Sequence, residues 1–248
     1  MSVAAVVVTH GPDPYLSTCV AALKPQVDEF VVVANPPAPE IEAPLIVNER
    51  PLGLAANANK GIRETSAPYV ILANPDTTAQ KGAVAALVEF AAEHPRCGIA
   101  GPRLLNPDGT LQASRRRFPT VTGTIVRRTP LRWVLSPTKR QRDHYQLNEN
   151  PVGPVQVEWM LGAFLLLRRE LLDELGGFDE GYRLYGEDID LCYRAAKADW
   201  ERWYVPDARV VHVHAAETDH RFLTRATLWH WKSIAHFVRK HPERLRAL

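Results

Sequence analysis

The chain has 248 residues, of which 46% are hydrophobic and 23% charged, and its formal net charge is +2. These values fit a globular α/β protein with room for a sizeable core, and the near-neutral balance gives no global case for nucleic-acid binding. Cys19, Cys97 and Cys192 lie far apart without CxxC spacing, which argues against a disulfide framework or a cysteine zinc site and fits a reducing cytosol.

No apolar run approaches the roughly 18 residues that a bilayer span requires, and Met1 leads almost directly into an apolar run with no signal peptide before it. The expected location is the cytoplasm. VAAVVVTH (3–10) predicts a buried strand. GPDPYLSTCVAALKP predicts a helix with Asp13 as N-cap and Pro14 at its first position. EFVVVAN and PLIVN predict two further strands, and GLAANANKGIRETS a helix with small residues on one side. PYVILANPD predicts a strand with a polar end, and AQKGAVAALVEFAAEHP an amphipathic helix. Strands alternating with helices imply a mostly parallel sheet.

After residue 105 the character changes. NPDGTLQ (106–112) predicts a turn in a hairpin. From Arg115 to Arg142 there are nine cations and no acid, a local excess that the overall charge hides. VEWMLGAFLLLRREL predicts a buried strand and a short helix, GGFDEGYRLYG a loop, and EDIDLCYRAAKAD a helix. RWYVP and ARVVHVH predict two late strands, and TLWHWKSIAHFVRKHPERL a C-terminal helix rich in aromatics and cations.

Open α/β sheets bind ligands outside the carboxyl ends of their strands. Asp76 falls at such an end, where it either starts a turn or meets a hard cation or a ribose. Glu187 and Asp188 open a helix, where the dipole favours carboxylates. Asp190 and Arg194 stand at i,i+4 as an ion pair, and Ile189, Cys192, Tyr193 and Ala196 form the stripe expected to anchor the helix. Asp188 is left beside a glycine-rich loop, able to take a proton from a bound hydroxyl. His212 and His214 share one face of a strand by period-two alternation; they are metal ligands or ordinary rim residues.

These segments together resemble glycosyltransferase family 2, inverting enzymes of GT-A fold, and in particular bacterial rhamnosyltransferase-like members. The resemblance rests on VVVTHGPDPYLSTCVAAL, NERPLGLAANANKGI, ILANPDT, DGTLQASRRRFPT and WMLGAFLLLRRELLDELGGFDEGYRLYGEDIDLCYRAAKADW, in that order over nearly the whole chain. It implies a Rossmann-like α/β domain with a mixed, mostly parallel sheet flanked by helices, acceptor-side insertions and a C-terminal helix. Residues 1–105 would bind the nucleotide sugar, and residues 106–248 would carry acceptor binding and catalysis.

The resemblance further implies that Asp76 and His212 ligate Mg²⁺ or Mn²⁺, with Asp76 also on the nucleotide side. Asp188 would be the general base. Thr9, Asn35, Asn59 and Asn74 would form the nucleotide pocket, and Glu187 and Trp159 would face the acceptor. Donor and acceptor would be a nucleotide sugar, such as dTDP-L-rhamnose or a UDP-hexose, and a glycan or polyprenyl-diphosphate-linked hydroxyl. The sequence departs from the pattern at Ala34, where relatives carry an acid, at the following prolines, at Pro51 and Asn57, and in VHAAE after His212. A silent binding module and a nucleotidyltransferase are the competing classes; retention of Asp76, Asp188 and His212 argues against the first, and the lack of a basic glycine-rich loop near the N-terminus against the second. The basic zone and the C-terminal helix are expected at an anionic, lipid-bearing partner, giving a peripheral contact with the inner membrane face; a second copy of the chain is another candidate for that helix.

Overall fold

The computed structural model describes residues 1–118, 151–182, 185–213 and 225–245. The first five strands are β1 (Val3–Thr9), β2 (Glu29–Ala34), β3 (Leu45–Val47), β4 (Tyr69–Ala73) and β5 (Thr77–Ala79). β6 (Cys97–Leu105), β7 (Arg115–Arg116), β8 (Val155–Gln156), β9 (Trp159–Met160), β10 (Phe164–Arg168) and β11 (Glu201–His212) follow. The helices are α1 (Leu16–Leu23), α2 (Leu54–Arg63), α3 (Ala83–Glu93), α4 (Arg169–Leu175), α5 (Glu187–Lys197) and α6 (Arg225–Lys240).

The main sheet has the order β3-β2-β1-β4-β10-β6-β11-β5, with β8 paired to β11. β1 to β4 are parallel neighbours, as are β6 and β11, while β10 runs antiparallel between β4 and β6. The expected mixed, mostly parallel sheet is therefore present, and β10 from the second half of the chain lies inside it. β7 and β9 form a separate two-stranded ribbon.

Alternation along β1 divides the core. Val3, Ala5 and Val7 pack with Leu16 and Leu23 of α1 and Val84 and Leu87 of α3. Val6 and Val8 face the other way, against Ala55 and Ala58 of α2, Leu171 of α4 and Leu191 of α5. The result is three layers, helix, sheet and helix. The small-residue face of α2 has a steric cause: a Cβ on Gly61 would lie 2.3 Å from Val6 Cγ1.

Several elements differ from the sequence expectation. α1 starts at Leu16, because Asp13 Oδ1 accepts the Tyr15 N–H at 2.8 Å in a turn before the helix. The two late strands are one, β11, with a register shift between Val205 and Arg209; Pro206, which lacks an N–H, sits within this irregular stretch. The run from Val157 is broken at Leu161–Ala163, where Leu161 N–H pairs with Ser114 O at 3.0 Å and Gly162 N–H turns to Asp188. The stripe that anchors α5 is Leu191, Cys192 and Ala195, with Asp190, rather than Ile189, Tyr193 and Ala196.

Asp190 is fully buried. The expected pair with Arg194 is present at 2.7 Å, and Lys240 Nζ at 3.0 Å, His241 Nε2 at 2.8 Å and the Tyr182 hydroxyl at 3.3 Å complete a cluster that ties α6 to α5. Burial opposes ionisation of Asp190, and hydrogen bonds from His241, Arg194 and Lys240 outweigh it, holding the carboxyl below its ordinary range. α6 also packs Phe237 against Tyr193, with Trp231 left exposed. Among the described residues no helix is long and apolar enough to cross a membrane.

Candidate active site

The carboxyl ends of β1, β2, β4 and β11 lie along one edge of the sheet, carrying Thr9, Asn35, Asn74–Asp76 and His212. β5 folds back beside β11 and pairs His212 with Thr77, which brings Asp76 to the histidine. His212 Nε2 lies 3.4 Å from Asp76 Oδ2, and Val213 N–H donates to Asp76 O at 2.9 Å. The His212 ring is buried, with Nδ1 2.6 Å from Gln112 Oε1. A carboxylate and an imidazole nitrogen facing one another at a strand end are donors suited to Mg²⁺ or Mn²⁺. Asp76 and His212 are two such donors; among the described residues no group of three or more His, Cys, Asp or Glu side chains gathers around a metal position. His214 lies outside the described residues.

The Glu187–Asp188 pair opens α5 on a left-handed turn, Tyr185 at φ 65° and Gly186 at φ 97°. Tyr185 is a non-glycine residue in a region that bulky side chains rarely adopt, a feature that clusters at functional sites. Asp188 Oδ2 accepts from Gly162 N–H at 3.1 Å and Oδ1 from Ile189 N–H at 2.8 Å. Gly162 allows this approach, since a Cβ there would lie 3.1 Å from Asp188 Cβ. Burial holds the Asp188 carboxyl above its ordinary range, and the two N–H groups and the Arg116 charge offset this only in part. Glu187 is buried, with Oε2 lacking a hydrogen-bond partner among the described residues. Burial first, then the Asp188 charge, pushes Glu187 up to about 8. The two neighbours differ in their donors: Asp188 receives two backbone N–H groups, and Glu187 Oε2 receives none among the described residues.

Backbone bonds link the two centres. Gly162 N–H holds Asp188, while the carbonyl of Ala163, the next residue, accepts from Asn74 N–H at 2.8 Å, two residues before Asp76. Residues 112–116 run alongside: Gln112 touches His212, Ser114 pairs with Leu161, and Arg116 acts on Asp188. Residues 76, 188 and 212 are therefore linked through Gly162–Ala163 and the 112–116 segment.

The asparagines divide. Asn35 Oδ1 accepts from Leu52 N–H at 2.9 Å and Asn48 Nδ2 at 3.0 Å, and Asn35 Nδ2 donates to Leu52 O at 2.9 Å and His10 Nδ1 at 2.8 Å. Asn57, which departs from the family pattern, is in this cluster through Asn48. Asn35 thus shapes the wall of the rim between β2 and α2, and Thr9 Oγ1 closes the β1 turn by donating to Gly11 O at 2.6 Å. Asn59 makes its hydrogen bonds to the second half of the chain. Its amide pairs with both backbone groups of Phe178, at 2.8 Å each, and with Glu180 Oε1 at 2.9 Å, so it braces the loop that leads to α5. The ring of Trp159 is buried, its Nε1–H donates to Arg117 O at 2.8 Å, and the Arg116 guanidinium lies 5.6 Å above it. Arg116 is the more accessible of the two.

Gln112 and Arg116 are site residues that pattern and charge alone do not single out; the only signal is their place in DGTLQASRRRFPT. The cysteines carry no chemistry: all three are free and buried, and burial pushes each thiol up to about 12.

The sheet order, with an antiparallel strand inside a parallel sheet and acids at its carboxyl edge, is that of a GT-A glycosyltransferase. Similar solved structures include one described as "Crystal structure of GalNAc-T7 with UDP, GalNAc and Mn2+", at TM-score 0.65 and 17% identity over 97% of this chain and 48% of that one. Another is the mannosyltransferase PcManGT from Pyrobaculum calidifontis in complex with GDP-Man and Mn2+, at TM-score 0.59 and 16% identity over 98% and 64% of the two chains. The chain thus spans about half to two thirds of those solved chains.

The family model "Glycosyltransferase like family 2" matches residues 2–228, and the chain belongs to that family. It is 32% identical over 244 residues, covering 86% of this chain and 76% of the relative, to N-acetylglucosaminyl-diphospho-decaprenol L-rhamnosyltransferase of Mycobacterium tuberculosis (strain CDC 1551 / Oshkosh). It is 27% identical over 172 residues, 68% of this chain and 61% of the relative, to rhamnosyltransferase WbbL of Escherichia coli (strain K12). The protein is a glycosyltransferase.

Proposed function

We propose that the protein transfers a sugar, with inversion, from a nucleotide donor to a hydroxyl of a lipid-linked acceptor, and that the sugar is L-rhamnose carried by dTDP. The names of the two relatives support the rhamnosyl group, and that of the mycobacterial one a diphospho-polyprenol acceptor. The observation that carries the reading is the connected rim on which Gly162–Ala163 joins Asp188 to the Asp76–His212 pair.

In this reading residues 1–105 hold the donor, with Thr9, Asn35 and Asn74 along the nucleotide wall, and residues 106–248 supply the acceptor side. The acceptor hydroxyl donates to Asp188. As its oxygen forms a bond to the anomeric carbon, on the side opposite the diphosphate, Asp188 takes the proton and the bond from that carbon to the diphosphate oxygen breaks. The two backbone N–H groups hold the carboxylate in one orientation throughout, the positioning on which such a step depends. Glu187, neutral to about pH 8, can donate a hydrogen bond to the acceptor without repelling it. Arg116, above Trp159, would neutralise the diphosphate of the acceptor. Asp76 and His212 would hold Mg²⁺ or Mn²⁺, which supplies charge neutralisation of the leaving diphosphate when bound. The site faces the cytoplasm in this reading, with a peripheral contact at the inner membrane face.

The test is a thermal-shift screen of dTDP-rhamnose, UDP-hexoses and GDP-mannose, each with and without Mn²⁺. Binding at 100 times Kd adds about 2.7 kcal/mol to stability, so dTDP-rhamnose with Mn²⁺ is expected to give the largest rise. A larger rise with another nucleotide sugar reassigns the donor, and no rise with any of them refutes the reading.

A further inference from the structure

A chain of hydrogen bonds leads from the surface turn of 106–112 to the buried side of His212. Asp108 Oδ1 accepts from the Thr110 hydroxyl at 2.6 Å and from Thr110 N–H at 2.9 Å. The Thr110 oxygen accepts from Asn106 Nδ2 at 2.9 Å. Asn106 Oδ1 accepts from Gln112 Nε2 at 3.0 Å, and Gln112 Oε1 lies 2.6 Å from His212 Nδ1.

The direction of every link follows from its outer end. An ionised Asp108 can only accept, so the Thr110 proton points to it and the Thr110 oxygen is left to accept from the Asn106 NH₂ group. Asn106 then presents its carbonyl oxygen to Gln112 and requires a donor, which is the Gln112 NH₂ group. The same NH₂ group lies 3.4 Å from His212 O, an acceptor, which orients the amide the same way independently. Gln112 must therefore present its carbonyl oxygen to His212, and only an Nδ1–H can answer it. In a neutral imidazole one nitrogen donates and the other accepts. The lone pair is then on Nε2, the nitrogen 3.4 Å from Asp76 Oδ2.

We infer that the 106–112 turn is a tautomer clamp: Asp108, Thr110 and Asn106 orient Gln112, and Gln112 is a positioning residue that holds His212 with its Nε2 lone pair toward Asp76. A lone pair set against a carboxylate is unfavourable on its own and favourable around a cation, so the turn prepares the pair for a metal before donor binds. Partners of this kind on the far ring nitrogen fix orientation and raise ligand basicity. The inference deepens the cation site proposed above and rests on it for its purpose, though the tautomer can be measured without metal.

Long-range ¹H–¹⁵N correlation on protein labelled with ¹⁵N-histidine, without metal at pH 8, reads the tautomer directly. His212 is expected as the neutral Nδ1–H form; an Nε2–H form or an imidazolium overturns the inference. Mn²⁺ binding, followed by electron paramagnetic resonance without any sugar nucleotide, is expected to weaken about 10- to 100-fold in Gln112→Leu. Gln112→Glu, which keeps an acceptor oxygen toward Nδ1, is expected to bind at least as tightly as the parent. Equal Mn²⁺ affinity in parent and Gln112→Leu overturns the positioning role. A parent that binds no Mn²⁺ refutes the cation site instead, and the tautomer measurement still decides the clamp.

Discussion

Asp188 and Glu187 are neighbours on one helical turn with opposite environments. Asp188 receives two backbone N–H groups and the Arg116 charge, while Glu187 Oε2 receives no donor among the described residues. Asp188→Asn removes the proton acceptor and keeps the shape. Its kcat is expected to fall by about 10²- to 10⁴-fold, with donor affinity unchanged by calorimetry; normal turnover would remove Asp188 from the mechanism. Glu187 is already neutral across the acid limb, so Glu187→Gln is expected to leave that limb of kcat/KM where the parent has it. Stability follows the same logic. The folded state keeps the Glu187 proton up to about pH 8, while the unfolded chain releases it near the ordinary 4.5. Wild-type stability therefore falls as pH rises between those values. Urea melts at pH 5 and pH 8 should show Glu187→Gln gaining on the parent at the higher pH.

The element that matters most after the rim is α5, whose first turn carries the acids and whose body is tied to α6. Arg194 is mostly buried, and besides Asp190 it reaches Leu175 O at 3.0 Å and Gly177 O at 2.8 Å. Removing one partner of a buried pair costs about 3–5 kcal/mol. Lys240 and His241 remain in Arg194→Met, so its loss should fall near the lower end, as read by denaturant unfolding. The exposed pair that Lys197, on the same helix, makes with Glu243 is the control, and Lys197→Met is expected to leave the midpoint unchanged. The sequence shows the Asp190–Arg194 pair because i,i+4 spacing is local. It does not show Lys240 and His241, which lie about fifty residues away and reach Asp190 only through the packing of α6.

At the scale of the whole molecule, the basic zone predicts sedimentation with anionic vesicles that is lost at high salt, where screening shortens the reach of surface charge; no binding at low salt would refute a peripheral contact. Most of that zone, beyond Phe118, lies outside the described residues. The layered α/β class, strands β1 to β4 and the candidates Asp76, Asp188 and His212 are legible in the sequence, whereas β5 and β6 are not among the strands it predicts. Hydrophobic periodicity and strand-end position are local properties of the chain, and motif order carries the rest. Tertiary structure decided that Asn59 braces the 178–180 loop, that RWYVP and ARVVHVH are one bulged strand, and that Gln112 and Arg116 belong to the rim. Hydrogen bonds between residues a hundred positions apart, such as Gln112 with His212, leave no periodic trace along the chain. They exist because β11 and the 106–112 turn meet at one edge of the sheet, and only the folded arrangement sets which donor meets which acceptor.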